Sequence, residues 1–346
     1  MDFEKTAQKI IETTLTKGAS ECDVILAKSR SKSISCRLQK IEDLDESDEK
    51  TIGIRALVDH KQAFVSSSDI RTENIERLVS KCVEMAKLAP VDDTAVLGDS
   101  SLFEKNVADL DLYQEEEIDT KILIDAVKEC EDTALSVKGI TNSEGAGASS
   151  SKAEFFLATS NGFNGGYKSS TSSISCSVLA GEGQDMERDY EYAVKRYSSD
   201  LPNPKEIGQS AAEKTLKRLN PQKINSTKLP VVFDKRISND LLGYLASSIS
   251  GTSIARGTSF LKDSLGKQIF NKDVTIIDDP SINRGLGSKP FDGEGIKVEK
   301  REIVTNGKLN SWILNTSTAK KLGLKTTGNA SRSVGSPPGV STSNLY

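Results

Sequence analysis

Histidine is almost absent from this sequence: His60 is the only one among 346 residues. A zinc site that takes two histidines from this chain is therefore excluded, and with it the HExxH and HExxxH hydrolase motifs. Catalysis by a Ser-His or Cys-His pair would have to use His60. Because His60 stands in a short polar link between two strand-like runs, we interpret it as a turn residue.

Cysteine patterns typical of disulfide frameworks and metal clusters are absent as well. The five cysteines are odd in number, scattered, and without a CxxC spacing. This usage predicts buried, reduced thiols in a cytoplasmic protein. They are Cys22, Cys36, Cys82, Cys130 and Cys176.

The sequence also lacks long apolar runs and an excess of basic charge. No run of about 18 apolar residues occurs, so we expect no membrane-spanning helix, and the charged start at 1–10 is not typical of a signal peptide. The net charge is −4, from 46 basic and 50 acidic residues, which does not indicate direct nucleic-acid binding. Two acidic runs, 42–49 and 109–119, are interpreted as solvated faces or loops.

Cofactor fingerprints are incomplete. Gly285 and Gly287 have no third glycine and no surrounding βαβ unit, and Gly266-Lys267 is not part of a P-loop. We therefore expect no nucleotide cofactor in this chain.

The hydrophobic periodicity predicts an α+β protein with mostly antiparallel strands. Thr72 is the predicted cap of the second helix, Glu115 lies in the predicted first turn of the third, and Asn203-Pro204 is predicted to open the fourth. Asn306-Gly307 between alternating runs predicts a hairpin. The predicted helices are 3–17, 73–88, 114–134, 203–220, 237–249 and 317–322, and the strands are 22–29, 33–42, 51–58, 62–67, 152–159, 168–179, 189–197, 229–233, 274–277, 295–304 and 309–315.

These elements predict an N-terminal α/β module with antiparallel strands, followed by a β-rich, barrel-like antiparallel C-terminal domain. The predicted divisions are an N-terminal domain at 1–110, a connecting helical region at 111–135, and a C-terminal domain at 136–346. Residues 329–346 are rich in Ser, Gly and Pro and are predicted to be loop, which makes the C-terminal domain look incomplete. The polar strand around 169–177 is predicted to be half-buried; as an alternative, such a strand could pair with a peptide at an exposed edge.

Several motifs occur in a fixed order along the chain. They are SISG at 248–251, FLKDSLGKQI at 260–269, PFDGEG at 290–295 and AKKLGLKTTGNA at 319–330, with supporting runs at 51–55 and 63–69. Together they resemble the PmbA/TldE branch of the TldD/PmbA family over essentially the whole chain. An older label for this family is "modulator of DNA gyrase".

The resemblance implies a subunit of a cytoplasmic metallopeptidase complex that acts on peptides or unfolded segments. In that family the TldD-type subunit carries zinc on an HExxxH helix, and the PmbA/TldE-type partner lacks the ligands. Here the corresponding positions hold Gly243, Tyr244 and Ser248, none of which replaces a zinc ligand or a general base at neutral pH. The resemblance thus implies no metal in this chain, zinc in a TldD-type partner, and a heterodimer with that partner or a homodimer.

Family members continue beyond Tyr346, so we expect this chain to be shortened at its C-terminus, with open strand edges. Motif density suggests a set of candidate residues for peptide or interface contacts. An alternative is that the glycines serve turns and that the carboxylates accept loop amides. The candidates are Ser247, Ser248, Gly251, Arg256, Phe291, Asp292, Glu294 and Gly295.

Three functional hypotheses remain open. The first is a non-catalytic subunit that helps to enclose a peptide chamber beside a TldD-type zinc subunit. The second is a stand-alone module that binds peptides at an exposed sheet edge. The third is a hydrolase with another nucleophile, such as Ser248 or Cys176.

Overall fold

The computed structural model describes residues 2–346 and is organised around one six-stranded antiparallel sheet. Its strand order is β3-β2-β1-β4-β5-β6, and it curls into a half-barrel. The fold is mixed α and β with antiparallel sheets, as the periodicity predicts. The strands of this central sheet are β1 (Glu21–Arg37), β2 (Lys40–Val58), β3 (Lys61–Ser67), β4 (Ile140–Thr159), β5 (Asn164–Ala180) and β6 (Glu187–Lys195).

One long hairpin spans three of the predicted strands, those at 22–29, 33–42 and 51–58. β1 pairs with β2 along its whole length, and Leu38 and Gln39 turn the chain with positive φ angles of 49° and 64°. The predicted strand at 33–42 is therefore wrong, because it straddles this turn. The acidic run at 42–49 is solvated as predicted, but it lies within β2.

Two pairs of helices cover one face of the central sheet. Alternate residues of β1 point to this face: Val24 and Leu26 pack under α1 and α2, and Ile34 and Cys36 pack under α3 and α4. Both cores consist mainly of aliphatic and thiol side chains. The helices are α1 (Phe3–Thr16), α2 (Thr72–Leu88), α3 (Thr120–Ser136) and α4 (Pro204–Lys217).

Side-chain caps mark the starts of α3 and α4 but not that of α2, and the sequence shows these starts only in part. Asn203 caps α4 by accepting a hydrogen bond from the Lys205 amide at 2.9 Å, as predicted. The predicted cap at Thr72 is wrong, since Arg71 is the N-cap residue of α2. The predicted start of the third helix at 114 is also wrong, because Asp119 caps α3 and the acidic residues at 115–117 precede it.

The C-terminal part, from α5 at Lys235 to the end of the chain, contains short helices and small sheets. Asn306-Gly307 forms the predicted hairpin turn with positive φ at both residues. The predicted strand at 229–233 is wrong, because that segment has no strand partner within residues 2–346. The elements are α5 (Lys235–Ser248), α6 (Gly251–Ala255), β7 (Ile276–Asp279), β8 (Arg301–Thr305), β9 (Lys308–Leu309), α7 (Thr316–Leu322), β10 (Ala330–Ser331), β11 (Gly339–Val340) and β12 (Asn344–Leu345).

The end of the described chain is not only loop. β12 pairs with β7, in a four-stranded sheet of order β12-β7-β8-β9, so the prediction of plain loop for 329–346 is wrong in part. The predicted domain divisions at 110 and 135 stay predictions; the pairing of β1 with β4 crosses both positions. None of the helices within residues 2–346 has the length and apolarity needed to cross a membrane.

Candidate functional site

The helix α5 carries the three positions that correspond to a family metal helix. Asp234 begins the helix by accepting a hydrogen bond from the Arg236 amide at 2.9 Å. Leu245 and Ile249 anchor it in the C-terminal core. Leu241, one helical turn before Leu245, is 49% exposed.

The solvent face of α5 offers no zinc ligands at these positions. A Cβ atom added to Gly243 would meet nothing within 4 Å, and 73% of Tyr244 is exposed. The Ser248 hydroxyl donates to the Tyr244 carbonyl at 2.8 Å, and the Ser247 hydroxyl donates to the Gly243 carbonyl at 3.0 Å. Zinc prefers imidazole, thiolate or carboxylate donors, so these residues do not fit the ion.

Gly251 lies at a close approach between α6 and α7. A Cβ atom there would stand 2.5 Å from the Thr318 hydroxyl oxygen and 2.8 Å from a Leu314 methyl group. The Gly251 amide also donates to the Ile313 carbonyl at 2.8 Å. Arg256, another candidate, ends α6 on the exposed surface.

Phe291 lies at the junction between the central sheet and the C-terminal part. Its ring is buried against Phe163 and Tyr167, with centroid distances of 4.9 and 5.5 Å. Ile25 and Leu157 complete this cluster from the sheet face that the helices leave free. Phe291 therefore contributes to packing between the two parts.

Two buried carboxylates follow Phe291. Asp292 accepts three backbone N–H groups, from Glu294 and Ile296 at 2.9 Å and from Ala330 at 3.0 Å. Burial and the neighbouring Glu294 raise the pKa of Asp292 to about 7, against the lowering effect of those amides. Glu294 accepts the amide and the hydroxyl of Thr316 at 2.9 and 2.7 Å, at the start of α7.

The candidate residues thus lie in two places: one group packs around the start of α7, and the other lies on the exposed face of α5. Glu294 and Gly251 both contact the first turn of α7, and Gly295 has a positive φ of 81° with no room for a side chain beside Phe163. Gly243, Tyr244 and Ser247 face solvent on α5. Asp292 and Glu294 both accept backbone amides, and Gly251 and Gly295 occupy tight backbone positions. These contacts are the ones expected if the residues serve the fold rather than peptide binding.

A buried charge cluster lies beside Glu294, and the sequence motifs do not predict it. Asp23 on β1 accepts a hydrogen bond from Arg55 Nε at 2.6 Å and another from Arg332 Nη2. All three side chains are at most 5% exposed, and Arg332 Nε and Nη1 are buried with no hydrogen-bond partner among residues 2–346. Asp23 and Arg55 stand among apolar strand residues, which is a readable signal of a buried pair; nothing near Arg332 in the sequence gives one.

The alternative nucleophiles and the single histidine have ordinary surroundings. Cys176 is buried in the core under α3 and α4, and the five cysteines are free and buried, as predicted. His60 has a φ of 60° in the β2–β3 turn, which confirms it as a turn residue. Within residues 2–346 no three His, Cys, Asp or Glu side chains group closely enough to hold a metal ion.

The sequence matches three family models in succession. They describe domain 1 of the PmbA/TldA metallopeptidases at 22–86, the central domain at 113–219 and the C-terminal domain at 226–346. The metalloprotease PmbA of Escherichia coli O157:H7 is 35% identical over 330 residues, which cover 94% of this chain and 73% of the relative. A PmbA homologue of Haemophilus influenzae is 34% identical over 316 residues, covering 91% and 70%.

Solved structures share the fold. A proposed modulator of DNA gyrase from Bacteroides thetaiotaomicron superposes with a TM-score of 0.92 at 27% identity, over 100% of this chain and 77% of that one. TldE from Thermococcus kodakarensis superposes with a TM-score of 0.83 at 19% identity, over 98% and 77%.

Proposed function

Since the chain belongs to the PmbA/TldD metallopeptidase family, we propose that it is a PmbA/TldE-type subunit that lacks its own zinc and assists a TldD-type zinc subunit. The complex would process peptides or unfolded segments in the cytoplasm. The observation that carries this proposal is α5, a well-formed helix whose family metal positions are Gly243, Tyr244 and Ser248.

The contacts of α5 support a positioning role over a catalytic one. The hydroxyls of Ser247 and Ser248 are engaged by helix carbonyls, and the Tyr244 ring projects into solvent. The opposite side of the helix is fixed by Leu245 and Ile249. Such a surface offers contact area to a partner without offering metal ligands.

Co-purification with a TldD-type subunit tests the proposal. We expect a stable complex in which peptidase activity and zinc, measured by mass spectrometry, both belong to the partner. The double variant Y244F/S248A should keep the zinc content and the activity of the complex, because neither side chain would touch the metal. Stoichiometric zinc on this chain alone, together with hydrolysis of an unfolded peptide, would contradict the proposal.

A second candidate function is peptide binding without a partner, at an exposed strand edge. The predicted location in 169–177 is wrong, because β5 lies inside the sheet between β4 and β6. An open edge exists instead along β2, where β3 covers only Ile52–Val58. Binding of unstructured peptides to this chain alone tests the idea, and the absence of binding at high micromolar concentration would exclude it.

A further inference from the structure

The first half of β2 is an unpaired sheet edge. β1 pairs with β2 over its full length, but β3 pairs only with Ile52–Val58 on the other side. Residues 41–49 are exposed, and within residues 2–346 no strand lies beside them. Along such an edge every second residue presents its N–H and C=O outward, which makes it a template for an added strand.

The charges along this edge are acidic, and only two of the six carboxylates lie in ion pairs. Six of the eight residues at 42–49 are Asp or Glu. On the helix face, Asp48 pairs with Arg30 at 2.7 Å and Glu46 pairs with Lys32 at 3.5 Å. On the opposite face, Asp43, Asp45 and Glu49 form no ion pair with any residue in 2–346.

The neighbouring strand explains why those three carboxylates stay unpaired. Their register partners on β1 are Ser35, Ser33 and Ser29, which are small and neutral. A second copy of this chain adding to the same edge would place carboxylates against carboxylates, which is unfavourable. The negative charge of this edge therefore favours a cationic peptide over a second copy of this chain.

We propose that the β2 edge at 41–50 binds an extended cationic peptide segment as an additional strand of the central sheet. Successive same-face positions on a strand lie two residues apart, so Lys or Arg side chains of the segment would stand opposite Asp43, Asp45 and Glu49. Backbone pairing supplies the docking and the carboxylates supply the selectivity. The inference rests on the second proposed function, peptide binding at an edge, and needs no partner subunit.

Binding of short synthetic peptides to the whole chain tests the proposal. The probe is KTKTTTK, which carries its lysines at the spacing of the three carboxylates when it runs parallel to β2. The matched peptide KPKTPTK keeps the charge but cannot form a continuous ladder. We expect KTKTTTK to bind, to weaken at high salt, and to slow amide exchange within 41–50. Equal binding of both peptides, or no protection within 41–50, would overturn the proposal.

A matched pair of variants isolates the carboxylates. D43N/D45N/E49Q should weaken KTKTTTK binding roughly tenfold, because three exposed ion pairs contribute modestly each. E73Q/E76Q/E84Q removes the same charge from the exposed face of α2 and should leave binding almost unchanged. Equal effects of the two triple variants would show that only the net charge of the protein matters, and would refute a specific site at the β2 edge. Co-purification with a TldD-type subunit is measured separately, so the two proposals can fail independently.

Discussion

At the scale of single residues, the unusual feature is the amount of charge buried at the junction between the sheet and the C-terminal part. Asp23 balances Arg55 and Arg332, and Glu294 lies close enough to influence both cations. A buried ion pair adds little net stability over apolar packing, but removing one member leaves an uncompensated charge. We infer that this cluster specifies which loop docks on the sheet.

The substitution Asp23→Asn should destabilise the fold by about 3 kcal/mol, because two buried guanidinium groups lose their shared carboxylate. Asp48→Asn on the adjacent strand is the control, since its pair with Arg30 is solvated. Urea unfolding of both variants measures the difference. Similar midpoints for the two variants would show that Asp23 does not anchor the cluster.

At the scale of elements, the space around two glycines distinguishes a solvent-exposed helix surface from a packed one. Gly243 on α5 has open space where a side chain would be, whereas Gly251 at the start of α6 is enclosed by α7. The same residue type is thus dispensable for packing on one helix and required by packing on the next. The sequence alone shows two glycines eight positions apart and does not distinguish them.

Gly243→Ala should stabilise the protein by about 0.5–1 kcal/mol, because alanine favours an exposed helix interior. Gly251→Ala should destabilise it by roughly 1–3 kcal/mol through overlap with Thr318 and Leu314. Thermal unfolding of the two variants gives opposite shifts of Tm. A loss of stability in Gly243→Ala would indicate that the exposed face of α5 is covered in solution.

At the scale of the whole molecule, the C-terminal part docks on one end of the helix-free sheet face. Gly53 permits the contact, because a Cβ atom there would overlap the Val334 carbonyl oxygen. Val334 also packs against the aromatic cluster around Phe291. Beyond this contact the same face continues as a surface of serine and threonine, ending at the acidic edge of β2.

Gly53→Ala should loosen this docking and leave the central sheet intact. We expect faster amide exchange in the segment at 330–336, which begins with β10, and a loss of stability of roughly 1–3 kcal/mol. Gly147→Ala is the control on the same sheet face, since its added Cβ would come no closer than 3.4 Å to a neighbour. Unchanged exchange at 330–336 in Gly53→Ala would argue against the contact.

Elements with strong local signals follow from the amino-acid sequence alone, and so does the chemistry that its composition excludes. The fold class, the α4 cap at Asn203, the Asn306-Gly307 turn and the resemblance to a peptidase family all depend on residues close together in the chain. A single histidine is a property of composition and needs no structure.

Features that depend on residues far apart in the chain are fixed only when the chain folds. Arg332 meets Asp23 across 309 positions, and the polar halves of β1 and β2 become strands because they pair with each other. The run at 229–233 has strand composition but no partner within 2–346, so it forms none. Pairing and burial need two surfaces brought together, and local periodicity describes only one of them.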